Sequence, residues 1–377
     1  MPRRTFFKLL ALAALLHIYL GMRLLPATGM NAHGMLMGIL LLTVSSVLVP
    51  TGLVASSLRR ASWTTALTWA ALLSMGLFSS LLVLTFLRDI GLLALTLAGA
   101  ASPDVLRWSA FAVPAVALAV TVAGLVNARR LARVVTVEVP IAGLPPALHG
   151  YTIVQISDIH VGPTIKRNFL AAIVGRVNSL QGDAIAITGD LVDGSVAQLS
   201  AHTAPLADLR ARDGVFFVTG NHEYYSGASA WIAELRRLGL TVLMNEHVLR
   251  ERAGATVMIA GVADFNAHQF DSSHQSDPQR AAAGAPPHVA AKILLAHQPR
   301  TAMAAVDAGF DLQLSGHTHG GQFFPWNLFV PLQQPYVAGL KKLRTLWVYT
   351  SRGTGYWGPP KRFGAPSEIT RVRLVSA

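Results

Sequence analysis

The chain has 377 residues, of which 52% are hydrophobic, no cysteine, and a formal net charge of +12 at pH 7. The lack of cysteine excludes a disulfide framework and any thiolate-ligated metal. The charge is uneven: residues 1–130 hold ten Lys or Arg against only Asp89 and Asp104, while residues 131–377 hold 21 basic and 17 acidic residues. Basic excess in short loops beside apolar runs reports membrane orientation, not a nucleic-acid-binding face, so nucleic acid is not an expected partner.

Four stretches have the length and composition of membrane-spanning helices: residues 9–25, 35–55, 64–87 and 109–126. The first is interrupted by His17 and Arg23 and is expected to close at Pro26. Arg3, Arg4 and Lys8 followed by a leucine-rich run also fit a secretory signal. No A-x-A cleavage site follows and further spans come at once, so an uncleaved helix is expected. His17 and His33 read as helix-end or loop residues. Arg3, Arg4 and Lys8, then Arg59 and Arg60, then Arg129, Arg130 and Arg133 fall on one side of a four-helix arrangement. Loop charge of that kind predicts a cytoplasmic C-terminal part. Residues 90–101 form an apolar run too short to span and read as a re-entrant or interfacial piece; a fifth span there would reverse the orientation.

Pro140, Pro145 and Pro146 mark residues 134–150 as a linker. Beyond it, strand-like runs at 151–157, 184–188, 215–219, 256–262, 292–296 and 312–315 alternate with helical segments at 168–180, 195–212 and 229–238. Alternation predicts an α/β layered core, and the later strands with few helices predict a second sheet, hence a sandwich flanked by helices. Residues 265–285 form a long loop that could cap a site.

Metal-ligand residue types fall where these strands end. Asp158-Ile-His160 follows the first strand, Gly189-Asp190-Leu-Val-Asp193 the second, and Gly220-Asn221-His222-Glu223 the third. Ala296-His297-Gln298 and Gly316-His317-Thr-His319-Gly320-Gly321 follow later strands. Open α/β sheets place their sites at the carboxyl ends of strands. The oxygen and nitrogen donors suit Mn, Fe or Zn. Two such ions about 3.5–4 Å apart can clamp the attacking and leaving oxygens of a phosphate ester. Each block alone is weak; five in this order point to one centre. His149, His202, His247, His268, His274 and His288 belong to no block and read as surface or loop residues.

The blocks D-x-H, G-D-x-x-D, G-N-H-E, a lone His and G-H-x-H make residues 150–377 resemble the calcineurin-like metallophosphoesterase superfamily, and in particular its membrane-anchored bacterial branch. The resemblance implies a membrane anchor over residues 1–133 and a catalytic domain over 151–377, in a bacterial inner membrane. It implies Asp158, His160 and His319 on one divalent ion, Asn221, His297 and His317 on a second, and Asp190 bridging. His222 would act near the leaving group, with Asp193 orienting. The implied reaction is in-line attack on phosphorus by a hydroxide whose formation the metals favour, with Asn221 and His222 stabilising charge.

Two basic stretches bear on the substrate: Lys341, Lys342 and Arg344, and the Gly/Pro-rich stretch from Arg352 through Trp357 to Lys361, Arg362 and Phe363. Cations near a membrane attract anionic headgroups. A lipid-linked or membrane-proximal phosphodiester is therefore the expected substrate, and a solvated basic face is the alternative reading. Competing functions are a nuclease or cyclic-nucleotide phosphodiesterase, and a non-catalytic membrane sensor.

Overall fold

The computed structural model describes residues 3–54 and 62–377; Ala55, Arg59 and Arg60 lie outside the described residues. The chain divides into two units, one of Met1–Arg129 with Gly358–Phe363, the other of Arg130–Trp357 with Gly364–Ala377.

The first unit holds α1 (Arg3–Thr28), α2 (Ala32–Val54), α3 (Ser62–Leu97) and α4 (Pro103–Arg129). Among the described residues, these four are long and apolar enough to cross a membrane. The expected interfacial piece at 90–101 is corrected: α3 runs unbroken to Leu97. Arg88 and Asp89 do not end the helix because their charges are met sideways. Asp89 accepts from Tyr19 (2.7 Å) and Arg23 (2.8 Å), and Arg88 donates to Ser109 Oγ (2.9 Å) and Leu106 O (3.1 Å). At 36 residues, α3 is about 54 Å long, well beyond a hydrocarbon core of about 30 Å. Pro26 lies inside the last turn of α1 and does not close it. His17 is also not a helix-end residue. It is buried in mid-helix, donates from Nδ1 to Ala13 O (2.7 Å), meets Ser45 Oγ at 3.0 Å and stacks on Phe78. His33 does sit in the first turn of α2.

Gly358–Phe363 belongs to this helical unit. Lys361 is 1% exposed, and its three ammonium donors are all met, by Gly76 O (2.9 Å), Thr121 Oγ1 (3.2 Å) and Ser80 Oγ. Arg362 N donates to Gly124 O (2.9 Å), and a Cβ on Gly124 would come within 2.6 Å of Lys361 Cγ. A buried cation among apolar helices is costly unless it is satisfied in this way.

The second unit is built on two six-stranded sheets. The first contains β1 (Arg133–Ile141), β2 (Thr152–Ile156), β3 (Ala184–Ile187), β4 (Val215–Phe217), β5 (Thr241–Val242) and β12 (Glu368–Ser376), in the order β1-β12-β2-β3-β4-β5. The second contains β6 (Glu246–Arg252), β7 (Ala255–Gly261), β8 (Ala291–Leu295), β9 (Leu312–Ser315), β10 (Gly339–Leu343) and β11 (Leu346–Thr350), in the order β10-β11-β9-β8-β7-β6. Both are mixed: β2 to β5 run parallel, as do β7, β8, β9 and β11. Their facing side chains, including Ile153, Ala186, Phe216, Val257, Ile293, Leu312, Tyr349 and Val372, form one core. The helices of this unit are α5 (Arg167–Ser179), α6 (Val196–Thr203), α7 (Asn221–Ser226), α8 (Ala228–Arg237), α9 (Pro278–Ala282) and α10 (Ala302–Asp307). The parallel strands β2 and β3 are buried throughout, which is why they read as continuous apolar runs.

The expected linker at 134–150 instead contains β1, paired in parallel along its nine residues with β12. Pro140 is tolerated because β1 is an edge strand. The helical segment expected over 195–212 is shorter, with α6 ending at Thr203 and a 3-10 turn following at Ala204–Asp208.

Candidate metal centre

The ends of β2, β3 and β4 deliver Asp158 and His160, then Asp190 and Asp193, then Asn221, His222 and Glu223. The ends of β8 and β9 deliver His297, then His317 and His319. The two sheets are stitched at this edge: Gln155 Nε2 donates to Ser315 O (2.9 Å), His297 Nδ1 to Thr188 O (2.7 Å) and His317 N to Asp158 Oδ1 (2.9 Å).

The backbone at these ends is unusual. Asp158, His160, Asp190, His317 and His319 have φ of 53°, 55°, 50°, 70° and 52°. Non-glycine residues rarely adopt this left-handed region, and such strain persists where surrounding structure over-determines it. Two glycines make the turns possible by leaving space. A Cβ on Gly220 would lie 2.2 Å from Asp190 Oδ1, and one on Gly316 would lie 2.0 Å from Ser157 Oγ and 2.3 Å from Asp158 Oδ2. In Gly316→Ala, expression in folded form should be lost, or metal content should fall with Asp158 displaced; unchanged metal content and thermal stability would contradict the close packing.

Among the described residues, three groups of side chains bring their ligand atoms within 4.8 Å of one another and could each hold a cation: Asp158, His160 and His319; Asp190, His297 and His317; and His160, Asp193 and His222. Asp190 Oδ2 reaches the first two, at 3.1 Å from His297 Nε2 and 3.9 Å from His160 Nε2. The donor chemistry fits metal ions. Ring nitrogens face each other, His160 Nε2 to His319 Nε2 at 3.1 Å and His317 Nδ1 to His297 Nε2 at 3.2 Å. Because Thr188 O can only accept, His297 carries its neutral-form proton on Nδ1, leaving the Nε2 lone pair for a ligand. Asp158 Oδ2 and Asn221 Oδ1 are buried without a hydrogen-bond partner. Buried oxygens are normally paired, so each lacks something that a cation would supply.

The electrostatics favour positive charge here. Burial opposes charge on His297, yet Asp190 and Asp158 raise its pKa well above the ordinary value. Burial would also raise Asp190, but His297, His222 and His160 hold it well below the usual carboxylate range. Asp158 is raised, chiefly by burial. His317 is pushed down to about 3, by burial and then by the neighbouring His297.

Asp193 stands behind both His160 and His222, accepting from the Nδ1 of each at 3.1 and 2.6 Å. A carboxylate on the far nitrogen fixes ring orientation and raises basicity. Against burial, Asp190 and Asp193 raise the pKa of His222 to about 9. Its ring is framed by Tyr225 (5.2 Å between centroids) and Trp357 (5.5 Å). Trp357 is in turn fixed by Gln322, whose amide makes 2.8 Å bonds with its N–H and carbonyl. Asp193→Asn should cost about 10–100-fold in metal affinity or turnover, the usual loss for a group behind a ligand, read by metal titration.

Residues that sequence reasoning missed hold the centre together. Glu223 is fully buried and accepts from the backbone of Gly220 (2.6 Å), Leu191 (2.8 Å), Asp190 (3.0 Å) and Val192 (3.3 Å), locking two ligand loops. The G-N-H-E block contained it, but only the fold reveals those four donors. Glu223→Ala leaves them unpaired at about 1–3 kcal/mol each, so a lowered unfolding midpoint and reduced metal content are expected. A second correction concerns the basic stretch at 352–363. Arg352 pairs with Glu368 at 2.9 Å, and Lys361 and Arg362 are each 1% exposed, so these three do not form an open anion-binding face. Lys341, Lys342 and Arg344 are exposed. In the 265–285 segment, Phe270 packs against Tyr224 and Tyr225, and His274 Nδ1 lies 3.0 Å from Tyr224 Oη.

Residues 151–321 match the family described as calcineurin-like phosphoesterase. The chain is 43% identical over 279 residues to a Bos taurus protein named "Transmembrane protein with metallophosphoesterase domain", covering 70% of this chain and 63% of that one. A Danio rerio protein of the same name is 40% identical, covering 67% and 60%. The chain thus spans less than two thirds of the length of these relatives. An uncharacterized metallophosphoesterase of Aquifex aeolicus is 33% identical, covering 59% of this chain and 84% of its own. Vertebrate as well as bacterial relatives leave the expected bacterial branch unsupported, while the transmembrane names and the four apolar helices support membrane association. By its matched residues and its relatives, this chain belongs to the calcineurin-like metallophosphoesterase family.

Proposed function

We propose that the chain is a membrane-anchored phosphohydrolase using two divalent ions, a phosphodiesterase acting on a lipid-linked or membrane-proximal phosphoester. The observation that supports this reading above all is Asp190 Oδ2 lying within reach of the Asp158 and His297 groups while His222, tied to Asp193 at 2.6 Å, stands beside them. In this reading Asp158, His160 and His319 would hold one ion, Asn221, His297 and His317 would hold the other, and Asp190 would serve both. When bound, the pair supplies Lewis acidity and lowers the pKa of water toward neutrality. Mn, Fe and Zn all suit these donors.

The chain's own groups do the rest. The Asn221 amide and the His222 imidazolium stabilise charge that develops on the phosphoryl oxygens. His222, with Nδ1 tied to Asp193, presents Nε2–H to the leaving oxygen and donates its proton as the ester bond breaks. Trp357 and Tyr225 pack edge-on against that ring and hold its orientation.

The test is hydrolysis of bis-p-nitrophenyl phosphate against p-nitrophenyl phosphate by the full chain in nanodiscs, after chelation and after return of Mn(II), Fe(II) or Zn(II). Metal-dependent turnover with preference for the diester is expected. Turnover that survives chelation would sink the metal reading, and preference for the monoester would sink the diesterase assignment.

A further inference from the structure

Residues 320–339 contain no charged side chain, a run of 20 positions in the otherwise charged second unit. Within it, two 3-10 turns, Trp326–Leu328 and Val330–Leu332, turn their large apolar side chains outward. Phe324, Trp326, Leu328, Phe329 and Leu332 are 50%, 43%, 61%, 53% and 84% exposed. Single exposed apolar residues are ordinary, but a contiguous set of this size marks a contact surface.

The patch is rigidly built on the metal centre. Thr318, between His317 and His319, donates to Val337 O (2.6 Å). A Cβ on Gly321 would lie 2.2 Å from Asn327 Cα, so the ligand loop and the apolar turns pack without a gap. Gln334 accepts from Arg300 N (3.3 Å) and donates to Gln298 Oε1 (3.0 Å), tying the far end to the segment after His297. The next strand, β10, carries exposed Lys341 and Lys342, with Arg344 beyond it.

We propose that residues 324–332 dock on a lipid bilayer surface, seating the rim of the metal centre at the headgroup level, with Lys341, Lys342 and Arg344 meeting anionic headgroups. Three features select lipid as the occupant. Among the described residues four helices are of spanning length, so bilayer is present at high effective concentration. Trp and Phe mixed with Leu and no charge is the composition that settles at the membrane–water interface. The flanking charges are cationic, as a negative surface requires. The proposal rests on the phosphohydrolase reading only for its consequence, that a lipid-borne phosphoester enters from the interface.

The experiment uses the full chain reconstituted in vesicles of phosphatidylglycerol and phosphatidylcholine, with and without bromine on the acyl chains. The fluorescence of Trp326 is the difference between the parent and Trp326→Phe. That signal should be lost to brominated lipid more than to aqueous iodide. In Leu328→Ser/Phe329→Ser/Leu332→Ser it should turn accessible to iodide. The docking is overturned if Trp326 is indifferent to bromination, or if its shielding follows protein-to-lipid ratio, as burial against a second copy would. No turnover enters this readout, so its failure is distinct from failure of the hydrolase reading.

Discussion

In Asp190→Ala, turnover of bis-p-nitrophenyl phosphate by the full chain should fall about 10³-fold or more, since one metal contributes several kcal/mol of charge stabilisation and each tenfold is about 1.4 kcal/mol. The size follows from position. Asp190 Oδ2 is the atom close to both His297 and His160, and Asp190 Oδ1 also accepts from His222 N at 2.9 Å. Its removal loosens both ligand groups and takes from His297 and His222 the carboxylate that most favours their charge. Metal content measured on the same sample should drop below two per chain. Two bound metals and parental turnover in this variant would refute the bridging role.

His222→Ala should retain both metals and lose about 10²–10⁴-fold in turnover, the range for a positioned acid. The loss should depend on the leaving group. Nitrophenolate departs with little help from a proton, whereas an alkoxide needs one, so an alkyl phosphodiester should suffer more than bis-p-nitrophenyl phosphate. Equal losses on the two esters would leave charge stabilisation as the role of His222 and remove proton donation.

Much of the centre was legible because its chemistry sits where strands end. Asp158, His160, Asp190, Asn221, His222, His297, His317 and His319 each follow a buried apolar run, and the fold brings those ends to one edge. What sequence could not carry is conformation and reach. Nothing in D-x-H states that both residues take positive φ, and nothing in G-N-H-E states that Glu223 collects four amides from two loops. Nothing in the Gly/Pro-rich stretch around Trp357 states that this ring lies against His222.

The same limit applied to the strands. β6, with sequence EHVLRER, and β10, with exposed Lys341 and Lys342, are partly solvated edge strands without a buried apolar signature. β1 was hidden by Pro140. Among the spanning helices, apolar length was enough to find all four, but the extension of α3 depended on partners for Arg88 and Asp89 that lie far away in sequence.

Lys361 has a consequence for how this protein can be taken apart. The chain leaves the helical unit after Arg129, re-enters it at Gly358 and leaves again after Phe363. No single cut therefore separates the two units. A protein begun at residue 130 would keep Lys361 but lose its bonds to Gly76, Ser80 and Thr121, which lie on the discarded piece. Nor could α3 and α4 be exchanged for generic apolar spans of equal length, because a leucine at Gly124 would fill the space that Lys361 Cγ occupies. The helical unit is thus completed by a segment that lies between β11 and β12 in the chain, and cannot be expressed or engineered without it.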